Sequence, residues 1–119
     1  MGDMRGLEDE LKQAWCRETS ARPDTWTPSN PAWGQCAITA LVVQDMLGGE
    51  LLRGQWEGTS HYWNRLPSGL EVDLTRGQFL NPPNPAEVEE RSREYVLSWP
   101  DTVRRYNLLK ERMDSCRTQ

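Results

Sequence analysis

An α+β domain is predicted by three observations: an amphipathic stretch at the start, a nearly all-apolar segment closed by paired glycines, and short strand-like runs separated by turn residues. From Met4 to about Glu18, Leu7, Leu11, Ala14 and Trp15 recur at steps of three and four, the stripe of a surface helix. Thr19 to Trp33 is rich in Pro, Ser, Thr and Asn and reads as a loop carrying Trp26 and Trp33. Gln35 to Leu47 is apolar on nearly every side and stops at Gly48-Gly49, which predicts a buried central helix.

Strand character follows in Glu50 to Glu57, Ser60 to Leu66 and Leu70 to Leu74, separated by Gly58-Thr59 and Pro67-Ser68-Gly69. The expected arrangement is a small antiparallel meander against which the central helix packs. Pro67-Ser68-Gly69 fits a three-residue hairpin loop, a type I turn followed by a glycine bulge. With that loop Leu66 pairs with Leu70, Trp63 lies opposite Asp73, and His61 and Asp73 become diagonal neighbours on one face. A two-residue turn would send them to opposite faces. Thr75 to Pro85 is expected as a loop. Asn84-Pro85-Ala86-Glu87 then resembles a capped helix start, predicting a helix from about Pro85 to Ser98. Pro100 interrupts it, Asp101 caps a last helix, and Val103, Tyr106, Leu109, Lys110 and Met113 form its mixed stripe.

Composition narrows the function. A chain of 119 residues with 36% apolar content fits one domain with a modest core. Fourteen basic against eighteen acidic residues give a charge of -4, without the basic cluster that follows a phosphate backbone, so nucleic acid is not an expected partner. No segment approaches the roughly 20 apolar residues of a membrane span, and the acidic start does not resemble a signal peptide. The cytoplasm is the expected location. Cys16, Cys36 and Cys116 make an odd, unpaired set, so reduced thiols are expected. Neither a phosphate loop nor a cofactor signature occurs, and no cofactor is expected. Zinc held by Cys16, Cys36, His61 and Cys116 would lack the close cysteine pairs of such sites. Six tryptophans against one phenylalanine suggest a cleft lined by indoles.

Acyl transfer by a cysteine needs a thiolate, an imidazole and a group that orients the imidazole. Cys36 opens the central helix, where unpaired N–H groups and the helix dipole favour a reactive thiolate. His61 is the one histidine, hence the one imidazole base on offer. Asp73 is the expected orienting group, with Glu71, on the same sheet face, as its competitor. An oxyanion would be met by the Cys36 N–H and a second donor, Gln35 or Trp33. Trp33 and Trp63 are candidate cleft walls, and Cys16 and Cys116 read as incidental. Each residue alone also has a plain role: a packed thiol, an ordinary strand histidine, a turn-capping aspartate.

Gly34-Gln35-Cys36 before an apolar helix, His61-Tyr62-Trp63-Asn64 in one strand and Val72-Asp73-Leu74-Thr75 in the next together resemble the transglutaminase-like core, which is shared with papain-like proteases. The resemblance implies Cys36 as nucleophile, His61 as base and Asp73 as orienter. The chain more closely resembles the small bacterial YunG-like proteins, through Trp33-Gly34-Gln35-Cys36, Ser60-His61-Tyr62-Trp63-Asn64-Arg65-Leu66 and Glu71-Val72-Asp73-Leu74-Thr75-Arg76-Gly77-Gln78-Phe79, roughly Asn30 to Phe79. Flanking domains and calcium-binding elements of large transglutaminases are missing, so protein crosslinking is not implied. The expected function is a thiol hydrolase or acyltransferase for a small-molecule, peptide or protein substrate with an amide, ester or thioester. The alternative is a non-catalytic module that holds a peptide or metabolite in an aromatic cleft.

Overall fold

The first helix, α1 (Met4–Ala14), buries Leu7, Leu11 and Ala14 along the expected stripe. This is a computed structural model, and it describes residues 4–56, 59–76 and 86–117. The expected turn glycine Gly58, the stretch Gly77 to Pro85 with its proposed cap at Asn84, and the Cys116 side chain lie outside the described residues. Helix α1 ends earlier than its pattern suggests, because the chain turns at Trp15 into a 3₁₀ turn, Arg17–Thr19. The Trp15 indole donates to Thr39 Oγ1 at 2.9 Å and ties this corner to the central helix.

Helix α2 (Cys36–Leu47) buries Ile38, Thr39, Ala40, Leu41, Val42 and Val43, as its apolar surface requires. It ends at Gly48, whose N–H donates to Gln44 O at 2.9 Å. Three antiparallel strands follow, β1 (Glu50–Trp56), β2 (Thr59–Arg65) and the short β3 (Glu71–Val72). Asn64 of β2 donates to Ala40 O at 2.9 Å, fixing the sheet against α2 through a buried polar contact.

The sheet order is β3-β2-β1-β4, so the meander gains a fourth strand, β4 (Ala86–Arg91), on the outer side of β1. This corrects the helix expected from Pro85 to Ser98. Local capping signals and helix-compatible Glu and Arg are overridden by the free edge of β1, whose unpaired N–H and C=O groups accept another strand. Helix structure resumes only in α3 (Arg93–Val96), where the Ser92 hydroxyl accepts from Tyr95 N. Pro100 separates α3 from α4 (Pro100–Arg117) but is itself the first residue of α4. Asp101 lies in its first turn and pairs with Arg104 and Arg105 instead of capping.

Tyr106, Leu109 and Met113 of α4, Val96 of α3 and Leu51 of β1 join α1 and α2 in one core. Arg93 fastens α3 to α2 by pairing with Asp45 at 2.8 Å and donating to Gln44 at 2.9 Å. Tyr106 completes this link by donating to Asp45; burial, then that hydrogen bond, pushes its hydroxyl up to about 12. Among the described residues no helix is long and apolar enough to cross a membrane.

Candidate active site

Cys36 is held by the segment before it. Ser20 Oγ donates to Trp33 O at 2.7 Å and accepts from Arg22 N at 3.0 Å, while Ala21 N donates to Gly34 O at 2.9 Å. Gly34 has φ +73°, and a Cβ there would meet Ser20 Oγ at 2.3 Å, so the close approach requires glycine. Gln35 then precedes the first residue of α2, which is Cys36, half-buried and in the reduced state. The helix N-terminus thus presents the thiol beside unpaired backbone N–H groups.

The β2–β3 hairpin supplies the partners. Asn64 pairs with Val72 and Arg65 with Glu71, the register expected from the three-residue loop. Leu66 N donates to Leu70 O and Gly69 N to Leu66 O, both at 2.8 Å, with Gly69 at φ +92° in the bulge position. His61 and Asp73 consequently meet on the diagonal, Nε2 to Oδ2 at 2.6 Å. Asp73 is oriented in turn, because its Oδ1 accepts from the N–H and the hydroxyl of Thr75 at 3.2 and 3.1 Å. Glu71 accepts instead from the Trp63 indole at 2.8 Å, which settles the competition between the two carboxylates for His61.

With Nε2 engaged by Asp73, Nδ1 is left for Cys36, which lies near enough to raise the pKa of the ring. Only 2% of His61 is exposed. Burial by itself lowers the imidazole, yet its hydrogen bond to Asp73 and the interaction with Cys36, with the charges of both, raise it to about 9. The ring therefore keeps both protons at neutral pH.

Cys36 also lines a cleft of about 280 Å³. Arg53 and Ser60 of the sheet, Tyr62 beside them, and Tyr95, Trp99 and Arg105 from the C-terminal half form its other walls. An indole does line the cleft, but it is Trp99. Trp33, proposed as a wall or oxyanion donor, donates its N–H to Thr25 Oγ1 at 2.8 Å. Trp63 stacks on His61 with ring centroids 5.9 Å apart and supports the imidazole. Gln35, the other proposed donor, is fully buried with its amide N–H on Cys16 O at 3.0 Å. Neither Gln35 nor Trp33 is placed by these bonds to serve an oxyanion.

Sequence reasoning missed Arg53, Ser60, Tyr62, Tyr95, Trp99 and Arg105. A signal existed for two of them. Arg105 occupies the stripe that buries Thr102, Tyr106, Leu109 and Met113, an unexpected position for a charge. Arg53 shares a sheet face with its cross-strand neighbour Tyr62.

Fold and site together define a small α+β protein in which a helix-opening thiol is linked through an imidazole to a carboxylate beside a cleft. The chain belongs to the YunG protein family, which matches residues 3–118. It is 39% identical over 72 residues to a Bacillus subtilis (strain 168) protein described as "Uncharacterized protein YunG", covering 60% of this chain and 59% of that relative. The chain therefore spans about three fifths of the length of the curated relative it matches. No solved structure matches.

Proposed function

We propose that this protein is a cysteine-dependent hydrolase or acyltransferase acting on an amide, ester or thioester. The observation that carries this reading is the 2.6 Å bond from His61 to Asp73 together with Cys36, the first residue of α2, lying near enough to the imidazole to raise its pKa. A helix-borne cysteine, a histidine on β2 and an aspartate just past the antiparallel β3 also support a papain-like or transglutaminase-like core, as the sequence resemblance implies.

In this mechanism Cys36 Sγ, as thiolate, attacks the substrate carbonyl carbon and a C–S bond forms. The oxyanion is met by the Cys36 N–H, one of the unpaired amides opening α2. Collapse breaks the bond to the leaving amine, alcohol or thiol, which takes the proton from His61 Nδ1. A thioester remains on Cys36. Water or an amine then attacks it, returns a proton to His61, and releases the acyl product with Cys36 again a thiolate. Asp73 keeps the ring oriented and its charge stabilises the imidazolium throughout.

Alkylation with iodoacetamide at about pH 6 tests the proposal, since only an activated thiol reacts quickly there. Cys36 is expected to label much faster than Cys16 in the full chain, and His61→Ala to abolish the difference. Equal labelling of the two thiols in the wild-type protein would overturn it.

A further inference from the structure

Strand β1 turns Arg53 toward the cleft that holds Cys36. Its Nε and Nη2 both donate to Ser60 Oγ, at 3.0 and 2.8 Å, which fixes the plane of the guanidinium. A half-buried cation is costly unless matched by an anion. The other guanidinium lining the cleft has one, since Arg105 pairs with Asp101 at 2.8 Å, and outside the cleft Arg93 pairs with Asp45 and Arg91 with Glu89. Glu89 is also the cross-strand neighbour of Arg53 on β4, yet it is Arg91 that it pairs with. Among the described residues no carboxylate pairs with Arg53.

We infer that the cleft takes a small acyl compound bearing a carboxylate, which Arg53 binds while the scissile carbonyl lies against Cys36. This rests on the catalytic reading above and names the substrate class for it. One uncompensated guanidinium matches a monoanion, and its planar fork suits a carboxylate. A cavity of about 280 Å³ lies at the small end of ligand sites and suits a small acyl group. The apolar part of the ligand has Tyr95 and Trp99 to rest on, an edge-to-face pair with centroids 5.2 Å apart at the exposed rim.

Two alkylating reagents that differ only in charge test this. Iodoacetate and iodoacetamide each form a C–S bond at the thiolate and expel iodide, so their rate ratio at Cys36, divided by the same ratio at Cys16, reads the electrostatics of the cleft. The wild-type ratio is expected to favour iodoacetate, and Arg53→Gln to lower it about tenfold, one charge-assisted hydrogen-bonded contact. Arg53→Lys, which keeps the charge and loses the fork, should fall between them. His61 is present in all three proteins, so its own charge cancels. An unchanged ratio in Arg53→Gln overturns the inference.

A second measurement needs no variant. N-acetylglycine is expected to slow iodoacetamide labelling of wild-type Cys36, and the neutral N-acetylglycinamide to leave it unchanged. Equal protection by both, or none by either at tens of millimolar, overturns the inference. The two proposals fail differently. Cys36 no more reactive than Cys16 toward either reagent removes the catalytic reading itself. Fast iodoacetamide labelling without carboxylate preference removes only the substrate class.

Discussion

On the β2–β3 hairpin, His61 reaches Asp73 and Trp63 reaches Glu71 across the same diagonal, one rung apart. Both rings are buried, both carboxylates sit on the shorter strand side, and the hydrogen bonds are 2.6 and 2.8 Å. Yet the Trp63 rung ends at the indole, which has a single nitrogen and only donates. The His61 rung continues, because imidazole has a second nitrogen and Cys36 lies beside it. Strand register places the pairs, and the chemistry of the ring decides which can extend to a third group.

Removing the ring at the continuing rung should have the largest effect. His61→Ala is expected to slow Cys36 alkylation at about pH 6 by roughly 10²–10⁴-fold, the usual contribution of a positioned acid or base. Glu71→Gln on the other rung should leave that rate almost unchanged; equal losses would erase the distinction between them.

Stability as a function of pH separates the rungs next. His61 is raised from 6.5 to about 9 in the folded protein. Its protonation therefore contributes stability that is fully present below pH 6.5 and is lost as pH rises through about 9. The loss should be about 3 kcal/mol in denaturant titrations, and His61→Gln should be flat over that window. Asp73→Asn keeps an acceptor but removes the charge, and is expected to move the alkaline limb acidward by about one unit or more. The smallest effect belongs to the second rung: Glu71→Ala should cost about 0.5–1.5 kcal/mol, one hydrogen bond, without moving the limb.

Much of this hairpin was legible because its causes are local. Pro67-Ser68-Gly69 specifies its own turn, the turn sets the register, and the register brings His61 to Asp73. Cys36 was legible for the same reason, since an apolar run before Gly48-Gly49 and after Gly34 marks both ends of α2. The choice between Asp73 and Glu71 was not, because period-two alternation puts both on one face and only the diagonal reach distinguishes them.

Strand β4 was misread because its backbone partner, β1, lies 31 to 40 residues earlier, and local propensity cannot register a distant open edge. The cleft walls were missed for a related reason. Arg53, Tyr95, Trp99 and Arg105 come from β1, α3, the α3–α4 connection and α4, and they meet only through packing of those elements. The tryptophans singled out in sequence were instead committed locally, Trp26 to Pro31 O and Trp33 to Thr25.

The contact between Gly34 and Ser20 also sets how the site can move. With no room for a Cβ between them, and with hydrogen bonds on either side, the start of α2 and the loop at Ser20 form one rigid block. The sulfur is aimed by a part of the chain that cannot slide along the helix axis. Among the described residues the opposite lip has no such clamp: there Tyr95 and Trp99 stand exposed at the joint between α3 and α4.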